Sequence, residues 1–307
     1  MNRIEKVIKY IDKKMKGIEI APWHTPLAPK RDGWNCLSLD LFSLDELRQK
    51  NQNDENLSND LIENIEEVDV VGSASDIEEL IAARDGLGTF DYIISSHNFE
   101  HLPNPIKFLQ GAAKVLKENG ILSMAIPDKR GCFDYFRPHS ITADFLAAYA
   151  EDRVMPTVTQ IFAHGSLNAR YGSNLAFLQT GNPRGVQVDK NLMLHYKNWV
   201  ERSKNKPTEC ADTHCHVFTP SSFYLIMIEL QFLGLMPFHV IEIEQTGGVE
   251  FYVHMRKMPQ SFKPPEDQFY LFRQQLLHQI GNELAFNSIL GFDCRAQVTH
   301  KNNEIKN

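Results

Sequence analysis

Hydrophobic and polar residues in the middle of the chain alternate in blocks that predict a strand, a helix and a second strand. The run Tyr92-Ile93-Ile94 is apolar and rich in strand formers, and polar residues follow it at 95–98. Residues 106–116 place apolar side chains at helical spacing, and Gly120 is expected to end that helix in a left-handed conformation. A second apolar run at 121–126 predicts the next strand. Continuous apolar strands joined by a helix indicate a parallel sheet that is covered on both faces.

Short apolar runs near residues 18, 36 and 69 extend this alternation towards the amino terminus. An antiparallel hairpin is predicted over residues 238–244 and 249–256, with a turn at Gly247-Gly248. The predicted fold class is therefore α/β, with a doubly wound, mostly parallel, seven-stranded Rossmann-like sheet that ends in an antiparallel hairpin. In such sheets ligands bind beyond the carboxyl ends of the strands.

The same patterns divide the chain into three parts. Residues 1–16 are expected to form an amphipathic helix (residues 3–15) on the sheet edge, and the main domain is expected to span residues 17–257. A large insertion at 131–218 follows the fifth strand, and it contains helix-like segments at 143–150 and 191–200. A loop of that length is usually functional, so we interpret it as an acceptor-binding lid.

The remaining residues, 258–307, predict an amphipathic helix over 262–285 and a disordered tail. Because the domain is complete before this helix, the helix is expected either to fold back onto the domain or to form a homo-oligomer contact. Just before the last core helix of the domain, Thr219 is expected to be the N-cap and Pro220 the first helical residue.

Composition narrows the class of protein. A formal net charge of -7 argues against an electrostatic nucleic-acid binder. The start of the sequence has charges throughout and does not resemble a secretory signal, and the longest apolar run is too short and too polar to span a membrane. Five scattered cysteines do not form a disulfide framework. We therefore expect a soluble, cytoplasmic protein.

An ordered set of motifs lies at the predicted strand ends. It comprises Gly17-Ile18-Glu19-Ile20-Ala21-Pro22, Pro26, Pro29-Lys30, Gly33, Asp40, Phe90-Asp91-Tyr92-Ile93, Glu100-His101-Leu102, Leu116-Lys117, Gly120, Pro127-Asp128-Lys129-Arg130 and Phe133-Asp134-Tyr135-Phe136-Arg137-Pro138. Through these residues the chain resembles class I S-adenosylmethionine-dependent methyltransferases over about residues 15–257. More narrowly, it is similar to a bacterial subgroup often found near polysaccharide and cell-surface glycan biosynthesis.

This resemblance implies S-adenosylmethionine as the cofactor and places its binding residues. Glu19, Ile20, Ala21 and Pro22 would pass beside the methionine part, and Asp40 would hold the ribose. The remaining cofactor positions are Gly72 and Ser73 near the adenine, and Ser95, Ser96 and His97 under the sulfonium and the acceptor.

At two of these positions the sequence itself speaks against a cofactor contact. Asp40 taken alone would suit an ordinary turn or helix cap. Ala21 departs from the family, which usually has a glycine where the backbone approaches the ligand closely.

The residues for chemistry are expected at the strand ends and in the insertion. A hydroxyl acceptor must lose a proton near neutral pH, and the candidates to remove it are the histidines His164, His195 and His216 of the insertion, with His164 as the first choice, together with Asp128 and His97 at the strand ends. Candidate acceptor-binding residues are Arg130, Asp134, Arg137, His139 and His216. The alternative explanation is an internal network of aspartates and arginines with hydrogen-bonded structural histidines.

The segment at 210–216, CADTHCH, contains five possible metal ligands. Its spacing matches neither a CxxC nor an HExxH motif, and adjacent side chains cannot all point at one ion, so we expect no metal.

The favoured function is methyl transfer from S-adenosylmethionine to a small polar acceptor, most simply a sugar hydroxyl or a glycan-pathway intermediate. The alternative is a catalytically degenerate methyltransferase-fold protein that serves as a binding or scaffold partner, which the alanine at position 21 suggests. An NAD-dependent enzyme is disfavoured because no GxGxxG follows the first strand.

Overall fold

The computed structural model describes residues 1–51, 58–84, 86–179, 182–205, 211–259 and 265–289. The strands are β1 (Gly17–Ile20), β2 (Cys36–Asp40), β3 (Val70–Val71), β4 (Phe90–Ser96), β5 (Leu116–Pro127), β6 (Ala169–Tyr171), β7 (Val186–Val188), β8 (Phe238–Gln245) and β9 (Glu250–Lys257). The helices are α1 (Arg3–Val7), α2 (Leu44–Asn51), α3 (Asn59–Glu63), α4 (Ile77–Ala82), α5 (Pro105–Val115), α6 (Thr142–Ala150), α7 (Val158–Ser166), α8 (Leu192–Lys204), α9 (Pro220–Phe232) and α10 (Glu266–Ile289).

Seven of the described strands form one sheet in the order β3-β2-β1-β4-β5-β9-β8. Strands β1 to β5 run parallel, and β9 lies antiparallel to both β5 and β8. This arrangement confirms the predicted fold class. Strands β1 and β4 are neighbours although two strands separate them in sequence, so the chain reverses its direction of winding between them.

The sheet is buried on both faces, as its continuous apolar strands predicted. The larger core cluster packs α4, α5 and α9 against the sheet through residues such as Ile77, Leu109 and Phe223. A smaller cluster on the other face includes Val7 and Tyr92. The amino-terminal segment therefore covers a face of the sheet and not its edge, which corrects the expectation for residues 1–16.

The amino-terminal helix is also shorter than predicted. It ends at Val7, whereas the spacing predicted a helix over residues 3–15. Lys9 and Tyr10 both bind the carboxylate of Glu242 on β8. Adjacent residues of a helix point about 100° apart, so turns direct both side chains to one carboxylate more readily than a helix does.

The predicted boundary between the central helix and the next strand was wrong. Helix α5 ends at Val115, and Leu116 already pairs with Phe90 as the first residue of β5. The left-handed residue near the predicted stop is Asn119, with φ +64°, and not Gly120. Because Leu116 is fully buried opposite Phe90, sheet pairing takes over before the helical pattern in the sequence has ended.

The segment between β5 and α9 contains α6, α7, the hairpin β6–β7 and α8. Helices α6 and α8 correspond to the two predicted segments. Helix α7 was not predicted, although its Thr157–Gln160 capping box was a usable signal.

The carboxyl-terminal part begins with α9, where Thr219 caps the helix and Pro220 is its first residue, as predicted. Helix α10 folds back onto α9 through Leu276 and Ile280, which lie against Leu225. The predicted tail at 290–307 lies outside the described residues. No helix in the described part of the chain has the length and apolar character needed to cross a membrane.

Candidate functional site

The carboxyl ends of the central strands form one edge, where the predicted cofactor residues meet. The N–H of Ala21 donates to Leu39 O (2.8 Å), the N–H of Gly72 to Asp40 O (2.8 Å) and the N–H of His97 to Ala125 O (3.0 Å). The first residue after each strand is therefore still in register with its neighbour. This edge lies at the reversal between β1 and β4, where open α/β sheets bind their ligands.

Three residues at this edge have left-handed backbones without being glycine. Ala21 and Trp23 follow β1 with φ +48°, and His97 follows β4 with φ +49°. Such conformations cost free energy and persist where the surrounding structure holds them. The conformation of Ala21 gives a physical reason for the usual glycine at this position, and its methyl group packs against the main core.

Glu19 binds the loop that follows β1. Its buried carboxylate accepts hydrogen bonds from the N–H groups of Leu27 (2.7 Å) and Ala28 (2.9 Å). Burial raises the pKa of Glu19 to about 7, against the opposing effect of these two N–H groups. Ile20 is buried in the main core and Pro22 is half-buried, so a cofactor contact from Glu19 and Ile20 would come from backbone and loop shape.

Asp40 ends β2 with a buried carboxylate. Its Oδ1 accepts from the N–H of Phe42 (3.1 Å), and burial raises the pKa of Asp40 despite nearby backbone donors. Beyond β3, Gly72 and Ser73 lead into a short turn that the Ser73 hydroxyl caps by accepting from the N–H of Ser75. These residues lie at the carboxyl ends of β2 and β3, and their contacts with the ribose and the adenine stay predictions from the resemblance.

Ser95, Ser96 and His97 close the edge at the end of β4. The hydroxyl of buried Ser95 accepts from the Asn98 side chain (3.1 Å), and that of Ser96 accepts from Arg3 (2.9 Å).

Arg3 and Glu250 belong to the same polar group, although sequence reasoning did not select them. The Glu250 carboxylate binds Arg3 Nε (2.8 Å), His97 Nε2 (2.8 Å) and the Tyr252 hydroxyl (2.8 Å). Burial works against charge on His97, but Glu100 and Glu250 outweigh it and raise the pKa of His97 to about 9. Glu250 is the first residue of β9, which runs antiparallel to β5, so it reaches this edge from the amino end of a strand, whereas the predicted residues follow the carboxyl ends of strands.

The predicted acceptor-binding arginines are paired within the chain. Arg130 forms a bidentate pair with the buried carboxylate of Asp128, with Nη2 2.6 Å from Oδ2. Arg137 is buried and donates to Asp134 Oδ1 (2.6 Å) and to His214 O (2.8 Å). Asp134 and Arg137 thus join two parts of the segment that follows β5.

Three of the predicted histidines of that segment lie in separate places. His164 is half-buried on α7, its Nδ1 accepts from the N–H of His214 (3.3 Å), and burial followed by Arg137 lowers its pKa to about 4. His216 is fully buried beside Phe145 and Phe218, and burial lowers its pKa to about 3. Burial also lowers the pKa of half-buried His139.

A cavity of about 500 Å³ lies between the amino-terminal residues and the loop after β1. Polar residues on its wall include Arg3, His24, Arg31 and Asn64. Arg3 connects this cavity to the strand ends, because its guanidinium also binds Ser96 and Glu250.

Comparison with known proteins gives a family. A family model described as "Methyltransferase domain" matches residues 4–233. Comparison with curated proteins gave no match.

Solved structures with a similar fold include two methyltransferases. One is a SAM-dependent methyltransferase from Aquifex aeolicus, which is 12% identical with a TM-score of 0.41; the alignment covers 83% of this chain and 90% of that chain. Another is an S-adenosylmethionine-dependent methyltransferase from Mesorhizobium loti, which is 8% identical with a TM-score of 0.42 and coverage of 83% and 99%. Because the family match spans most of the chain and includes β1 to β5, the chain belongs to the methyltransferase domain family and uses S-adenosylmethionine as its cofactor.

Proposed function

We propose that the protein transfers the methyl group of S-adenosylmethionine to a hydroxyl oxygen of a small polar acceptor, most simply a sugar or a sugar-bearing intermediate. The main support for the position of the cofactor is the sheet edge at the reversal between β1 and β4, where hydrogen bonds keep Ala21, Asp40 and His97 in register with the neighbouring strands. The polar group around Arg3 and Glu250 supports a hydrophilic acceptor beside it.

The cavity of about 500 Å³ supports an acceptor of sugar-nucleotide size, since ligand sites have volumes of this order. Arg31 on its wall has an exposed side chain and matches an acceptor that carries phosphate or carboxylate, whereas Arg3 already binds Glu250. The sugar itself rests on the resemblance to glycan-associated enzymes.

Methyl transfer is an in-line displacement in which the acceptor oxygen attacks the methyl carbon and the sulfonium leaves as a thioether. The protein contributes position and a site from which water is excluded. We place His97 next to the acceptor because, of the candidate bases, it alone follows a strand at the reversal. Its pKa of about 9 keeps the imidazole protonated at neutral pH, so we assign it to bind the acceptor and not to remove the proton. The Asp128 carboxylate is held by Arg130, and a neutral His164 whose Nδ1 accepts an N–H carries its own proton on Nε2.

The first test is calorimetric titration with S-adenosylhomocysteine. We expect saturable binding that Asp40→Ala weakens by at least about tenfold, because a buried carboxylate bonded to the ribose hydroxyls contributes about 1.5 to 3 kcal/mol. Asp45→Ala is the matched control, since Asp45 is exposed on α2 a few residues further along. Equal binding by the Asp40 variant would remove the assigned cofactor site.

The degenerate alternative gives a different result in the same titration. Wild-type protein would show no binding, and Ala21→Gly would restore it. If binding is present, transfer of a labelled methyl group to a panel of sugar nucleotides tests the acceptor class, and loss of that transfer in His97→Gln tests the residue placed beside the acceptor.

A further inference from the structure

Glu100 is a buried carboxylate that the described residues leave unsatisfied. It lies in the short turn Phe99–His101 directly after β4 and is 1% exposed. Neither of its carboxylate oxygens has a hydrogen-bond partner among the described residues. A buried carboxylate without hydrogen bonds is costly and keeps its oxygens available, so this position can accept a positively charged ligand in addition to the nearby His97.

Three imidazole nitrogens surround Glu100 Oε1. They are His97 Nδ1 at 3.6 Å, His101 Nε2 at 3.8 Å and His214 Nε2 at 3.9 Å, all longer than a hydrogen bond. Ligand atoms of Glu100, His101 and His214 all lie within 4.8 Å of one another. Tetrahedral ligands of one zinc ion at about 2.0 to 2.2 Å are separated by roughly 3.3 to 3.6 Å, so modest side-chain movement would bring these atoms around one ion.

The other nitrogen of each of two histidines is bound to a carboxylate. His101 Nδ1 lies 3.2 Å from Asp212 Oδ1, and His214 Nδ1 lies 2.5 Å from Asp134 Oδ2. Such pairs hold the proton on Nδ1 and leave Nε2 as a lone pair directed at Glu100. This is the outer arrangement that metal-binding histidines usually have.

We propose that Glu100, His101 and His214 bind a divalent first-row transition ion such as Zn²⁺ or Mn²⁺. Two imidazoles and one carboxylate favour these ions over Mg²⁺, which prefers oxygen ligands. Three protein ligands leave coordination positions open, as catalytic sites require.

The position suggests what the ion does. Glu100 follows the end of β4 by only a few residues, and His97 lies between the cluster and Glu250. An acceptor hydroxyl in an open position would lose its proton more easily, because a bound cation lowers the pKa of an oxygen ligand. This role rests on the proposed methyl transfer, whereas metal binding itself does not.

The test is metal binding by the full, untagged chain after treatment with a chelator. Calorimetric titration with Zn²⁺ and with Mn²⁺, and elemental analysis after dialysis, are expected to show one ion per chain for at least one metal, with Mg²⁺ as the weak comparison. His214→Ala and Glu100→Gln are expected to abolish this stoichiometric binding. His278→Ala, which removes an exposed imidazole on α10, is expected to keep it.

A milder variant tests the outer contact. Asp212 is exposed, so Asp212→Asn removes the partner of His101 without disturbing the core, and we expect about tenfold weaker binding. The midpoint of thermal unfolding, measured without metal, shows whether Glu100 is a metal ligand or a residue that stabilises the fold by itself. Glu100→Gln keeps the size of the side chain and removes only the carboxylate, so its metal-free midpoint is expected to stay close to that of the wild type while the metal-induced increase disappears.

Three results would overturn the site: no binding by the wild type, equal binding by the ligand variants, or a large metal-free loss of stability in Glu100→Gln. Titration with S-adenosylhomocysteine in the absence of metal reports separately on the cofactor site. Failure of the metal site and failure of the proposed methyl transfer are therefore distinguishable.

Discussion

The left-handed backbones of Ala21, Trp23 and His97 lie on both sides of the reversal between β1 and β4. Strained conformations of this kind concentrate at ligand sites, where they aim backbone groups at the ligand. The left-handed conformation of Ala21 explains why the family usually has glycine at this position. The methyl group of Ala21 can be accepted because it packs against the core.

Substitutions of Ala21 measure this strain. Ala21→Gly relieves about 1 kcal/mol of left-handed strain but adds a similar entropy cost, so we expect the free energy of unfolding to change by less than about 1 kcal/mol. Ala21→Val places a β-branched side chain at φ +48° and should lower stability by about 1 to 3 kcal/mol. Urea unfolding of the wild type and the two variants checks both values. An unchanged free energy of unfolding in Ala21→Val would show that the surrounding structure does not hold residue 21 in the left-handed conformation.

At the residue scale, the sequence located strand-end side chains but not their partners. Asp40 and His97 were predictable because each follows an apolar run at a known place in the fold. Glu100, His101 and His214 could not be grouped from spacing, because His214 lies far along the chain from the other two. The contact between them depends on how the chain after β5 returns to β4, which periodicity does not encode.

At the scale of elements, buried strands and long helices were predictable and short exposed ones were not. Strands β1, β4 and β5 carry continuous apolar runs because both sheet faces are covered. The hairpin β6–β7 has three residues in each strand and little burial, so it leaves no periodic signal. The early start of β5 shows sheet pairing overriding a helical pattern.

Helix α10 offers a direct test of its docking onto α9. Leu276 is 3% exposed in a cluster with Leu225 and Ile280, whereas the adjacent Leu277 is 46% exposed. We expect Leu276→Ala to lower the free energy of unfolding by about 2 kcal/mol or more, and Leu277→Ala to change it by no more than about 0.5 kcal/mol. Equal effects in denaturant unfolding would mean that α10 does not dock in this orientation, and a homo-oligomer contact through its Leu276 face would become the better explanation.

At the scale of the whole molecule, Glu250 joins three distant parts of the chain. Arg3 from the amino-terminal segment, His97 from the end of β4 and Tyr252 from β9 all bind its carboxylate. Burial opposes the charge, but the bonds from His97 and Arg3 outweigh it and lower the pKa of Glu250 to about 2. The edge that carries the proposed site is thus also where the amino-terminal helix α1 is tied to the end of β4 and to β9.

This pKa predicts a loss of stability in acid. A carboxyl whose pKa is lower in the folded than in the unfolded chain stabilises the fold above its ordinary pKa, and the contribution disappears as pH falls towards the folded value. The lowered pKa corresponds to about 3 kcal/mol at neutral pH. We therefore expect Glu250→Gln to be about 3 kcal/mol less stable than wild type at pH 7, with the difference shrinking steadily between pH 5 and pH 2.

Glu244→Gln is the matched control for this experiment. Glu244 lies on the neighbouring strand β8 and forms an ion pair with Lys6 of α1 at 2.7 Å. Both side chains are about one quarter exposed, so this ion pair should contribute no more than about 1 kcal/mol to the free energy of unfolding. Urea unfolding at a series of pH values gives both differences. If the difference in free energy of unfolding between wild type and Glu250→Gln stays constant down to pH 2, Arg3 and His97 do not keep the Glu250 carboxylate charged. Packing, and not this ion pair, would then hold the amino-terminal segment against the strand ends.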